Sequence, residues 1–243
     1  ALQKFVPYVS REKNDIIGKP KLNEVGMQIS LSSAAQSEYA FFYQQFIDML
    51  SSLKTELFRM RTKTRLVVGL GDESVYETSI RLHRNYGIPY IPGSALKGIA
   101  KHWAILQLAE ILCIRLSKDK NIELLKLAKQ IQKWLEETES NQKESQENIH
   151  EVKIKIGSTE ISFIELKEIF GTQQQKGNII FFDALPIPER LKQKTLEMDI
   201  MNPHYTPYYL EEEKEPGDWY EPIPIFFLTV PKGVEFTYAL GIV

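Results

Sequence analysis

Ser94, Lys97 and Lys101 recur at i, i+3 and i+7, so on a helix they share one face. They follow Pro89-Tyr90-Ile91-Pro92-Gly93, where two prolines hold the preceding residues extended and Pro92-Gly93 marks a turn. Ser94 is the expected N-cap, and the helical pattern runs from Ala95 to about Leu116. Two cations in the first two turns oppose the helix macrodipole. An anion at the N-terminus reverses that, because free backbone N–H groups and both lysines would point at it. The arrangement suits a phosphate, although solvent alone would also satisfy the lysines. Gly93 would let a ligand backbone approach closely. Arg81, His83 and Arg84 stand just before the corner and could close it.

Other chemistries find less support. His83, His102, His150 and His204 fall in four different elements, without H-x3-H or CxxC spacing, so neither metal nor cofactor is expected. There is no Gly-x4-Gly-Lys-Ser/Thr phosphate loop and no Gly-x-Ser-x-Gly elbow. The single Cys113 cannot form an internal disulfide, which predicts a reducing, cytoplasmic setting. No apolar run is long enough to span a membrane, and no N-terminal signal pattern is present.

The 243 residues carry 43% hydrophobic and 11% aromatic side chains, enough for a real core. The net charge of −2 argues against binding nucleic acid by bulk charge. Its distribution is uneven. From Arg59 to Lys101 eight Lys and Arg face three acids, a net +5, and from Glu211 to Glu221 six acids face one lysine, a net −5. Such polarity suits a chain that touches nucleic acid on one side and protein on another, and ordinary surface scatter could also produce it.

The elements that must position the corner follow from periodicity. Residues 1–31 read as an irregular arm, with Phe5, Val6, Tyr8 and Val9 available to anchor it in a groove or as an edge strand. Residues 33–61 read as one long helix. Ser33-Ala34-Ala35-Gln36 would be its capping box, and Tyr39, Phe42, Tyr43, Phe46, Leu50, Leu53, Leu57 and Met60 its core-facing stripe. Thr64 to Leu70 reads as a strand, and Thr78 to Leu82 as a second, short one. Leu96, Ile99, Ala100 and Trp103 would form the buried face of the Ser94 helix. A second helix over 121–135 would bury Leu124, Leu125, Ala128, Ile131 and Leu135, and the polar run 136–151 reads as a mobile insertion. Further strands are expected at 152–156, 179–183, 196–201, 224–230 and 234–240, with a short helix over 163–170 stopped by Gly171. Together these give an α+β sandwich.

The run Tyr90-Ile91-Pro92-Gly93-Ser94-Ala95-Leu96-Lys97-Gly98 resembles the "PGSSLKG" signature of the RAMP superfamily, the RNA-binding subunits of CRISPR effector complexes. Leu66 to Gly71, Glu77-Thr78, Leu82-His83 and Tyr86 to Tyr90 are similar to its sixth-subunit family from the type III-B (Cmr) complex. So are Gly177 to Pro186, Met201 to Tyr205, Asp218-Trp219 and Pro222 to Val230. The resemblance implies a ferredoxin-like, RRM-like domain over 63–243 with a helical insertion at about 117–160. An N-terminal arm and helix over 1–62 would pack on it. It implies a non-catalytic RNA-binding subunit that caps the effector backbone near the 3′ end of the guide RNA (crRNA). Partners would be that guide, target RNA, the repeating RAMP backbone subunit, the small helical subunit and the other capping RAMP subunit. Its RNA contacts would be Arg81, His83, Arg84, Gly93, Ser94, Lys97 and Lys101. Some RAMP relatives instead cleave guide RNA without metal, and His83, Tyr86 and Lys97 could fill those roles. A protein-only scaffold is the third reading. Members commonly carry a glycine-rich loop near the C-terminus, expected here to begin at Gly241.

Overall fold

The computed structural model describes residues 28–29, 31–72, 78–116, 124–136, 152–191, 195–210, 215, 217 and 219–243. The Phe5–Val9 anchor, most of the 136–151 run and most of the acidic run at 211–218 lie outside them. The backbone forms two compact units, one drawn from 1–52, 57–91 and 184–238, the other from 53–56, 92–183 and 239–243.

In the first unit, β1 (Gln28–Ile29), β7 (Leu196–Met201) and β8 (Ile225–Thr229) form an antiparallel sheet in the order β1-β7-β8. Glu197 pairs with both Gln28 and Thr229, and the β7–β8 register continues to Met201 opposite Ile225. Helix α1 spans Ser33–Ser52. Its cap falls one residue earlier than expected: the Ser32 hydroxyl accepts from the Ala35 N–H at 3.3 Å, and the Gln36 side chain donates to the Leu31 carbonyl at 2.8 Å. The aromatic stripe is core, as its spacing suggests, with Tyr39, Tyr43 and Leu50 buried. Tyr39 donates its hydroxyl to the Pro186 carbonyl, and burial pushes its phenol well above the usual range. Tyr43 and Thr237 share a hydroxyl–hydroxyl bond of 2.6 Å.

The expected helix over 33–61 stops at Ser52. Ser51 and Ser52 turn their hydroxyls back onto the carbonyls of Ile47 and Met49, and Thr55–Arg61 is strand β2. Leu57 and Met60, placed on the helix stripe by spacing, are instead 40% and 48% exposed on that strand. The ladder offered by β9 (Glu235–Ile242) outweighs the helical spacing of the apolar side chains. The strand expected over 64–70 is likewise reduced to one bridge, Leu66 with Val230. The short strand expected over 78–82 contributes only the Leu82–Pro89 bridge.

In the second unit, α2 (Gly93–Leu116) and α3 (Leu124–Glu136) pack with the hairpin β3 (Lys153–Ile156) and β4 (Thr159–Ser162) and with α4 (Phe163–Phe170). The core joins Ala104, Ile105, Leu108, Ala109 and Leu112 of α2 to Leu127, Ile131 and Leu135 of α3 and to Phe163, Leu166 and Phe170 of α4. Here α3 is part of the core, with Ile131 and Leu135 at most 1% exposed. The buried face of α2 is rotated from the one the spacing suggests, with Ile99 68% and Trp103 44% exposed, whereas α3 buries the expected Ala128, Ile131 and Leu135 and leaves Leu124 and Leu125 40% and 71% exposed. α4 is fixed at both ends. Ser162 and Glu165 form a reciprocal capping box, and Gly171, at φ 75°, donates its N–H to the Lys167 carbonyl at 2.7 Å.

β9 crosses from one unit into the other. It lies between β2 and β5 (Ile179–Phe181), and β6 (Leu185–Pro186) also pairs with it. β8 and β9, joined by Pro231-Lys232-Gly233, therefore belong to different sheets. The α+β class expected from the sequence is what the structure shows.

Candidate nucleic-acid interface

The expected contact residues divide between the units, with Arg81, His83 and Arg84 in the first and Gly93, Ser94, Lys97 and Lys101 in the second. In the second unit, α2 begins at Gly93, not after a Ser94 cap. The Pro92 carbonyl accepts from Ala95 at 2.9 Å and Leu96 at 3.1 Å, which leaves Ser94 exposed in the first turn. The helix starts early because Gly93 has its own acceptor: its N–H donates to the Asp183 carboxylate at 2.7 Å. The anion inferred at this N-terminus is thus supplied, in part, by the chain itself. Gly93 is buried, and a Cβ there would lie 2.0 Å from the Phe181 carbonyl oxygen. Its missing side chain admits the protein's own backbone, not a ligand's. No local signal could pair Gly93 with an aspartate 90 residues away.

Lys101 is also engaged. Its ammonium lies 3.0 Å from Glu136 on α3, and that bond holds the Glu136 carboxyl below its usual range. Lys97, half-buried on α2, makes no ion pair among the described residues.

In the first unit, His83 and Ile88 close a turn, with the His83 N–H donating to the Ile88 carbonyl at 2.7 Å and the Gly87 N–H to the His83 carbonyl at 2.8 Å. Gly87 takes φ 64°, a conformation that favours glycine. The His83 ring packs 5.2 Å from Phe42 and 5.1 Å from Tyr86, and Phe42 and Tyr86 stack at 4.7 Å. It sits in an aromatic cluster anchored on α1. Arg81 is ion-paired with Asp72, which raises its already high pKa. Arg84 is exposed and makes no ion pair among the described residues.

Four of the eight cations between Arg59 and Lys101 are therefore neutralised inside the protein: Arg61 by Glu235, Arg65 by Glu197 and Asp199, Arg81 by Asp72, and Lys101 by Glu136. Arg59, Lys63, Arg84 and Lys97 make no such pair among the described residues. No three His, Cys, Asp or Glu side chains converge on one point among the described residues. No helix there is long and apolar enough to cross a membrane.

An α+β chain with a Pro-Gly-Ser run at the start of the longest helix among the described residues is the class these features define, and residues 59–237 match the RAMP superfamily. The chain belongs to that superfamily. It is 46% identical over 228 residues to the CRISPR system Cmr subunit Cmr6 of Pyrococcus furiosus, covering 88% of this chain and 65% of that protein. It is 22% identical over 251 residues to the CRISPR system Cmr subunit Cmr6 of Saccharolobus solfataricus, covering 98% of this chain and 66% of that protein. The chain thus spans about two thirds of the length of these curated relatives. The crystal structure of Cmr6 from P. furiosus aligns with a TM-score of 0.50 over 80% of this chain and 84% of that one.

Proposed function

We propose that this chain is a non-catalytic RNA-binding subunit of a type III-B Cmr ribonucleoprotein in RNA-guided antiviral defence, working in the cytoplasm. The observation that carries the reading is the 46% identity to a Cmr6 protein over 88% of the chain. In this reading the subunit caps the effector backbone near the guide's 3′ end. Its neighbours are the repeating RAMP subunit, the small helical subunit and the other capping RAMP subunit. The RAMP domain keeps a ferredoxin-like core in the same reading.

Guides vary in sequence, so the guide is held by phosphate contacts and shape rather than by base identity. Ser94 and Lys97, presented on the first turns of α2, and Arg84 on its own turn are the contact residues favoured by their exposure or lack of a partner. Gly93, Arg81 and Lys101 support the local structure instead. The packing of His83 against Phe42 and Tyr86 favours a structural role for that ring over general acid–base chemistry.

The test is a salt titration of RNA binding by the complex that copurifies with this chain, as wild type and as Lys97→Ala. The variant should weaken all guide sequences about equally, and its salt slope should be shallower by about 0.7 to 1 unit. Identical affinity and slope would remove Lys97 from the interface. Cleavage of the RNA that His83→Ala abolishes would replace the non-catalytic reading with the endonuclease one.

A further inference from the structure

The alternating basic run Arg59, Arg61, Lys63, Arg65 is not absorbed by the corner. Its second half enters a three-residue loop clamped at both ends. At one end, Thr62 is held to the turn after β8 through both its backbone and its hydroxyl. Its N–H donates to the Val234 carbonyl at 2.9 Å, and its carbonyl accepts from Gly233 at 2.9 Å. Its hydroxyl donates to the Pro231 carbonyl at 2.9 Å and accepts from the Val234 N–H at 3.0 Å. At the other end, Leu66 and Val230 exchange both backbone bonds, at 3.0 and 2.8 Å. Between these clamps Lys63, Thr64 and Arg65 face a depression of about 540 Å³, whose other walls are Lys232, Glu197 and Asp199.

Arg65 is oriented before any ligand arrives. Glu197 and Asp199 stand two apart on β7, so they share a face of that strand. Glu197 accepts from Arg65 Nε at 2.8 Å and Asp199 from Nη1 at 3.0 Å. Nη2 makes no bond among the described residues, and the Arg65 side chain is 52% exposed. Lys63 and Lys232 are exposed and carry no ion pair among the described residues. Three cations and two carboxylates leave the depression at net +1. The carboxylates are tied to the arginine, so the two lysines present the uncompensated charge. The Thr64 hydroxyl donates to the Arg65 carbonyl at 3.4 Å, so the free Arg65 Nη2 and two mobile ammonium groups are the donor set that fits a phosphodiester oxygen.

We propose that the depression formed by Lys63, Thr64, Arg65 and Lys232 is a second RNA-backbone phosphate site, additional to the Lys97 corner. It rests on the reading of this chain as an RNA-binding protein. Lysine contacts of this kind act as point charges, so the site takes single-stranded RNA of any sequence. An acidic segment of a protein is the competing occupant, and the test separates the two.

The experiment measures binding of a fluorescently labelled, mixed-sequence single-stranded RNA across a salt series. It uses the complex containing wild type, Lys63→Ala/Lys232→Ala, or Lys97→Ala, and each variant's thermal unfolding is recorded. The double variant should unfold like wild type, since both lysines are exposed and unpaired. It should bind about fivefold to tenfold more weakly at low salt, with a slope shallower by about 1.4 units, two phosphates' worth for a single strand. Lys63→Arg/Lys232→Arg should restore binding. If the double variant binds as wild type does while Lys97→Ala weakens binding, this site is overturned and the RNA-binding reading stands. If wild type does not bind RNA, both fall. If labelled polyglutamate binds wild type but not the double variant, while the double variant binds RNA as wild type does, the depression takes acidic protein, and the proposal is wrong.

Discussion

Two cationic stretches, the Gly93 corner and the Lys63–Arg65 loop, use the same residue types to different ends. At the corner the protein answers its own charges. Asp183 takes the first helical N–H, Glu136 takes Lys101, and the backbone at Phe181 fills the space beside Gly93. In the loop Glu197 and Asp199 hold Arg65, and Lys63 and Lys232 are left without an ion pair among the described residues. A motif dense in glycine and lysine can therefore be chiefly architectural, while a plainer run keeps more of its charge for a ligand. The lesson is to count which cations are already paired before reading a basic stretch as a binding site.

The largest effect that would break this contrast is expected at Gly93. Gly93→Ala drives a Cβ into the Phe181 carbonyl at 2.0 Å, and neither backbone can retreat without moving α2 or the 181–183 segment. The cost should be about 3 kcal/mol or more, seen as a fall of roughly 6 to 12 °C in Tm. A variant as stable as wild type would show that the close approach is not structural.

An intermediate effect is expected at the opposite clamp. Thr62→Val preserves shape and removes the hydroxyl that serves Pro231 and Val234, leaving the Val234 N–H without its acceptor. Denaturant unfolding should lose about 1 to 3 kcal/mol. A loss within error would mean that the two backbone bonds alone fix the loop.

The smallest effect concerns the Lys101–Glu136 pair. The Glu136 pKa is depressed, first by the bond from Lys101 and next, against burial, by Gln132. A depressed carboxyl adds stability that is present above its unfolded value near 4.5 and disappears as pH falls through the lower folded value. Glu136→Gln should therefore cost less than about 1 kcal/mol at pH 7, because the pair is partly exposed, and the cost should shrink as pH falls below 4.5. A cost that does not change as pH falls below 4.5 would mean that the residue acts through packing and not through charge.

Much of the fold was legible where signals are local. The α4 boundaries at Phe163 and Phe170, the Gly171 stop and the turn at Gly157-Ser158 all follow from residues within a few positions of one another. The stripe of Tyr39 and Tyr43 announced a core face. Leu53, Leu57 and Met60 continue that stripe at helical spacing, yet two of them lie on β2 because a distant strand supplies hydrogen-bond partners there. Of the candidate site, the sequence pointed to Ser94, Lys97 and Arg84 as cations or donors at turns. It could not show that Arg81 and Lys101 are spoken for, or that Lys232 comes to lie in the same depression as Lys63.

By itself the sequence determined the α+β class, the presence of a helix after the proline pair and the family, since side-chain periodicity, turn chemistry and an ordered set of motifs are written in contiguous residues. Only the tertiary structure decided which cations remain unpaired, which face of α2 is buried and why residue 93 is glycine. Those outcomes depend on partners 35, 90 and 134 positions away, for Lys101, Gly93 and Arg65 respectively, and distances of that kind are set by packing alone.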